Sequence, residues 1–126
     1  MARLNQVTPF IPCCDLDRAF AFYTEILGFQ GLKFTDDYAY VHREGAALRL
    51  LQLDNDAKFA SEHAQQSAYF DVAQGVDALY ASLKDKLDTL PEGRVRAPFN
   101  QDYGQREFHV IDKDVTLLFF GEAIRD

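Results

Sequence analysis

Glu107 and His109, two residues apart, form the best acid–base pair in the chain. On a strand, residues i and i+2 share a face, so the carboxylate can orient the imidazole while the imidazole moves a proton. The same pair suits a hydrogen-bonded cleft wall that does no chemistry. A second candidate is cationic. Arg49 lies in the apolar run 47–53, and a guanidinium there needs a counter-charge, since an unpaired buried cation is costly. Glu107 is its expected partner; if Arg49 opens to a ligand instead, it would fork onto a carboxylate or phosphate. A third group is aromatic and acidic: Asp36, Asp37, Tyr38 and Tyr40 in the first half and Tyr103 in the second. Aromatic faces stack on planar rings or cations, and carboxylates favour a positive guest. Asp36 and Asp37 serve equally well as turn formers, and the tyrosines as packing for neighbouring loops. His42 and His63 are weaker candidates, and no Ser-His-Asp order or phosphate loop is present. Cys13 and Cys14 are adjacent, without the CxxC spacing of a redox or zinc site. Cys14 precedes Asp15, where a helix dipole would lower a thiol pKa; two small residues packed at a strand-to-helix turn is the simpler reading.

The elements that hold these groups come twice. An apolar run (7–11), a helix-like stretch (15–27) and two strand-like runs (38–42, 47–53) are followed by a second set at 67–72, 75–87, 106–111 and 115–120. Such self-similarity predicts two copies of one unit, a pseudo-symmetric arrangement with a cleft between sheet faces. Pro9 and Pro12 place the first strand at an edge or between subunits. Asp15 caps the first helix, Phe20, Tyr23, Ile26 and Leu27 face the core, and Gly28 ends it. Residues 54–66 read as the linker and 88–104 as mostly loop, with a short strand near Val95. Period-two alternation turns Phe108, Val110, Leu118 and Phe120 toward a helix. It leaves Glu107, His109, Ile111, Leu117 and Phe119 for the cleft, with Tyr38, Tyr40 and His42 on one face of their strand and Ala47, Arg49 and Leu51 on one face of theirs.

With 126 residues, 48% hydrophobic and 26% charged, the chain is expected to form one globular domain with its own core. The first unit spans about 5–54 and the second about 66–122. The absence of an N-terminal apolar leader or a spanning run makes the cytoplasm the expected location, away from the membrane. The net charge of −7 disfavours a nucleic-acid partner and favours neutral or cationic ligands, although most such charge serves solubility.

The stretch Asp15-Leu16-Asp17-Arg18-Ala19-Phe20-Ala21-Phe22-Tyr23, followed by Ile26-Leu27-Gly28-Phe29, resembles the first-helix signature of the vicinal oxygen chelate superfamily of glyoxalases, bleomycin resistance proteins and dioxygenases. Tyr103-Gly104-Gln105-Arg106-Glu107-Phe108 and Asp112-Lys113-Asp114 resemble the bleomycin resistance branch, with tyrosine in place of the usual tryptophan and a departure from the DPDG-like turn. The resemblance runs from about Val7 to Gly121. It implies an α+β fold of two tandem βαβββ-type modules forming a pseudo-symmetric curved sheet, with helices on the outer face and a concave cleft.

Carried over position by position, the superfamily's four metal ligands fall on Thr8, Arg49, Ser67 and Phe119. None suits a divalent metal, so the resemblance implies no metal, no cofactor and no Lewis-acid chemistry. What remains is a homodimeric binding protein that sequesters a cationic or aromatic small molecule in clefts between subunits. Asp36, Asp37, Tyr38 and Tyr103 match positions near those clefts, and Pro9 sits where the first strand is exchanged between subunits. Tyr40, Arg49, Glu107, His109 and Phe119 complete the expected ligand-binding set. The alternative is a glyoxalase/dioxygenase-like isomerase, lyase or thiol transferase working through His109 or Glu107, with an atypical or absent metal site.

Overall fold

The computed structural model describes residues 2–53, 66–114 and 116–125. The first strand, β1, is Phe10–Cys13; it begins three residues later than the apolar run predicts, because Pro9 cannot donate to a ladder. Asp15 caps helix α1 (Leu16–Ala21) by accepting from the Arg18 backbone N–H at 3.1 Å. The expected single helix then widens into a π-helical turn, Phe22–Ile26, closed by the Leu27 N–H donating to the Phe22 carbonyl at 3.2 Å. The wider turn rotates the residues after it. Phe22 and Tyr23 are therefore both buried, while Phe20 and Ile26 only pack at the margin. Gly28, at φ +77°, ends the segment as expected.

Strands β2 (Gln30–Lys33), β3 (Tyr38–Arg43) and β4 (Ala46–Gln52) complete the first module. β2 is exposed at all four residues, so it carries no alternation. The second module repeats the order: β5 (Ser67–Asp71), helix α2 (Val76–Leu87), β6 (Val95–Asn100), β7 (Gln105–Ile111) and β8 (Leu117–Ala123). β6 is the short strand expected near Val95, extended to Asn100 into a stretch read as loop; its register shifts between Arg96 and Phe99, around Pro98, and such a break obscures period-two patterning. The sheet orders are β1-β4-β3-β2 and β5-β8-β7-β6. β1–β4 and β5–β8 are parallel pairs, and β1 is an edge strand as the prolines predict. Of the linker predicted at 54–66, residues 54–65 lie outside the described residues, as does His63. Among the described residues no helix is long and apolar enough to cross a membrane.

Each helix covers one sheet face. Ile11, Ala39, Val41, Leu48 and Leu50 are buried in the first module, and Phe108, Val110, Leu118 and Phe120 in the second. Phe108 stacks on Phe120 with centroids 4.7 Å apart, and Tyr80 of α2 meets Phe108 at 5.2 Å. The modules are joined by Phe29 against Phe70 (5.7 Å), Tyr23 Oη donating to Asp112 Oδ2 (2.7 Å), and Arg18 paired with Asp114 (2.8 Å).

Candidate functional site

With the helices on one side, the other face of each sheet carries the polar and aromatic residues singled out above. On the first module Tyr40 lies beside Arg49, Tyr38 beside Leu51 and His42 beside Ala47. Arg49 Nε donates to Thr8 Oγ1 at 2.7 Å and Nη1 donates to Tyr38 Oη at 2.5 Å. Its guanidinium carbon lies 5.3 Å from the Tyr40 ring centroid, a cation–π contact. Phe10 and Phe34 flank Tyr38 at 6.1 and 5.2 Å. Asp36 and Asp37 occupy the exposed turn before β3, where the Asp37 N–H donates to Thr35 Oγ1.

On the second module the same alternation produces an anionic centre. Glu107 is fully buried at 0% exposure and accepts four side-chain hydrogen bonds. His109 Nε2 (2.8 Å) and Gln101 Nε2 (3.1 Å) bond Oε1; Tyr103 Oη (2.6 Å) and Tyr69 Oη (2.9 Å) bond Oε2. Burial by itself would raise this carboxyl, but the bonds from His109, Tyr103, Gln101 and Tyr69 together hold it at about 2. Burial and then the Glu107 bond push the Tyr69 hydroxyl up; the Glu107 bond is the main cause of the rise at Tyr103. Phe119 stacks on Tyr69 at 5.7 Å and meets His109 at 4.3 Å, and Phe99 closes on His109 at 5.2 Å. Gly121 makes this possible: a Cβ there would lie 1.8 Å from Tyr69 Oη, so only glycine lets that ring cross β8 toward Glu107.

The expected Arg49–Glu107 pair does not form. The two residues belong to different sheets, Arg49 resting on neutral acceptors and Glu107 on its own neighbours. Period two assigns faces within a sheet and says nothing about distance between sheets. The structure thus gathers Tyr38, Tyr40 and Arg49 on one module and Tyr103, Glu107, His109 and Phe119 on the other. Pro9 belongs with the first set, its carbonyl accepting from the Arg49 N–H at 2.9 Å. Tyr69, Gln101, Phe99, Phe10 and Phe34 are site neighbours that sequence reasoning missed. Tyr69 was legible, since Phe70 beside it faces the core.

A cavity of about 750 Å³ opens between the modules, lined by Pro9, Phe29, Arg43, Ser67 and Tyr69 among others; neither Arg49 nor Glu107 lines it. The four positions onto which the resemblance carries the superfamily's metal ligands fall as pairs in corresponding places. β1 sets Phe10 against Arg49, two residues after Thr8, and β5 sets Tyr69 against Phe119, two residues after Ser67. Two hydroxyls, a guanidinium and a phenyl ring do not make a divalent-metal site. Among the described residues no cluster of three His, Cys, Asp or Glu side chains suits a metal elsewhere.

Several solved structures share this fold. The bleomycin-binding protein of Streptomyces verticillus, complexed with copper(II)-bleomycin, superposes with a TM-score of 0.77 at 20% identity over 100% of both chains. A bleomycin-binding protein complexed with bleomycin gives 0.78 at 25% identity, over 94% of this chain and 98% of that one. A bleomycin resistance determinant encoded on the transposon Tn5 gives 0.77 at 24%, over 95% and 98%. No curated protein matches this chain by sequence. The family model of the glyoxalase/bleomycin resistance protein/dioxygenase superfamily matches residues 3–118, and with two open-sheet modules repeating one βαβββ order, the chain belongs to that superfamily.

Proposed function

We propose that this protein is a metal-free binding module that sequesters an aromatic or cationic small molecule on the helix-free faces of its sheets, without chemistry. The observation that carries this reading is the pairing of a ligand-poor quartet at the metal positions (Thr8, Arg49, Ser67 and Phe119) with aromatic walls. Tyr38, Tyr40 and Phe34 line one face, and Tyr69, Tyr103, Phe99 and Phe119 the other. Rings on a sheet offer planar ligands large apolar area at low entropy cost. The likeness to bleomycin-binding proteins supports a binding role.

The clefts belong at a homodimer interface in this reading. Residues 2–9 form no regular element, and Leu4 and Val7 are 97% and 82% exposed, apolar side chains that a second copy would cover. Pro9 is the point where this arm leaves β1 to reach the partner, and the ligand would be held from both subunits by Tyr38, Tyr40, Tyr103 and Phe119. An enzymatic role for Glu107 is disfavoured by its bonding: four side-chain donors already occupy the carboxylate, which leaves no lone pair directed at a substrate proton.

The test is calorimetric titration of the metal-stripped protein with a bleomycin-type glycopeptide at low and high salt. Saturable binding near one ligand per chain, at about micromolar Kd or tighter, supports sequestration. Absence of heat together with absence of competition against a bound dye sinks the drug assignment. A monomer at micromolar concentration sinks the shared cleft.

A further inference from the structure

Among the described residues, the helix-free face of the first module leaves one charge unanswered. Arg49 is half-buried and donates only to the neutral oxygens of Thr8 and Tyr38. No described carboxylate lies within ion-pair distance of it, and no described residue accepts from Nη2. A guanidinium has five N–H donors in a rigid fork, so this one presents spare donors beside a ring platform. Phe10 and Phe34, on either side of Tyr38, are 56% and 51% exposed, and their planes tilt against it by 32° and 43°. Exposed aromatic area next to an unpaired cation is a surface that lacks its complement. The second module differs. Glu107 is sealed by four side chains and has no lone pair directed at a guest, while Asp36 and Asp37 stand in an exposed turn. The charge offered to a ligand is therefore positive, against the −7 of the whole chain.

We propose that the first module is a subsite for an aromatic acid. Arg49 forks onto the ligand carboxylate, Tyr38 Oη and Thr8 Oγ1 hold the guanidinium in plane, and Phe34 and Phe10 take the ring. This inference rests on the reading of the protein as a small-molecule binder and narrows it to an anionic aromatic ligand. Neutral hydrogen-bond acceptors fix the guanidinium without neutralising it, which leaves its attraction for a carboxylate intact.

The experiment is a calorimetric titration of the full chain with naphthoate, naphthamide and naphthylmethylammonium, three probes that share a ring system and differ in charge. Naphthoate should bind about tenfold more tightly than the amide, with the ammonium weakest. Arg49→Met should abolish the preference, while Phe34→Ala should weaken naphthoate and naphthamide alike. Arg49→Lys, which keeps the charge and loses the fork, serves if the methionine variant fails to fold, and should keep only part of the preference. Equal binding of acid and amide, tighter binding of the ammonium, no binding of naphthoate, or a preference that survives Arg49→Met would each overturn the inference. Bleomycin binding without naphthoate binding would sink this inference and leave the sequestration reading; the reverse would sink the drug assignment and keep the aromatic-acid subsite.

Discussion

Glu107 shows how a buried charge is made tolerable. Removing a carboxylate from water costs several kcal/mol unless its lone pairs are met, and here four donors meet them within 3.1 Å. Glu107→Gln turns an amide NH2 toward some of those donors and should cost about 3 kcal/mol, read as a lower urea midpoint at unchanged m-value. The pH dependence has a definite sign. A carboxyl whose folded pKa of about 2 lies below its ordinary 4.5 contributes stability that is complete above the higher value and is lost as pH falls toward the lower. The stability gap between wild type and Glu107→Gln should therefore shrink between about pH 4.5 and about pH 2. A gap that stays constant would show that Glu107 acts through shape alone. Asp112, whose carboxyl burial pushes up, acts in the opposite sense, so the difference between the two proteins is the quantity to follow. Cys13, buried and pushed up to about 12 by that burial, should resist a thiol reagent in the native state, and labelling without unfolding would contradict it. Face assignment was legible for Glu107, His109 and Phe119, because alternation on β7 and β8 has no register break. Their partners Gln101 and Tyr103 come from the turn after β6, whose direction no periodicity encodes.

Between elements, the contact of β5 with β8 decides whether the Glu107 site exists. Tyr69 reaches its carboxylate only across Gly121, and a methyl group there meets the tyrosine hydroxyl well inside contact distance. Gly121→Ala should swing Tyr69 outward and lose that hydrogen bond, for about 1 kcal/mol. Tyr69→Phe should then cost nothing further in the alanine background, a non-additivity that a double-mutant cycle measures directly. Additive losses would mean that the backbone had moved instead. The first helical segment was legible at its start, from Asp15, and at its stop, from Gly28. The π-helical turn between them was not, because one inserted residue leaves the composition helical while shifting which side chains point inward. β6 was legible only at its start near Val95, because it breaks register beside Pro98, and β2 carried no alternation of its own, being exposed at every residue.

Among the described residues the two modules are held by a few polar contacts and one ring pair. Tyr23 Oη, Asp112 and the backbone N–H groups of Asp114 and Thr116 form one closed set. Tyr23→Phe leaves the buried Asp112 short of a donor and should destabilise by about 2 kcal/mol. If the modules fold as one unit, thermal unfolding will remain a single transition at lower midpoint; two resolved transitions would show that this contact alone couples them. The proposed dimer belongs here too. Deleting residues 2–6 should shift the sedimentation coefficient from dimer to monomer while preserving the far-UV spectrum, and a dimer that survives the deletion would place the interface elsewhere.

The sequence by itself determined the repeat, the two helix positions, the edge placement of β1 and the face of nearly every strand residue in the site. These follow from local rules, namely proline without a donor, period two, and a capped helix start, which act within a few residues of each other. Only the tertiary structure decided which charges meet. Arg49 and Glu107 are complementary in type and lie on equivalent faces, yet they do not meet: Glu107 is satisfied inside its own module and Arg49 keeps neutral partners only, because distance between sheets is set by the packing of Phe29, Phe70 and Tyr23 and by no pattern along the chain.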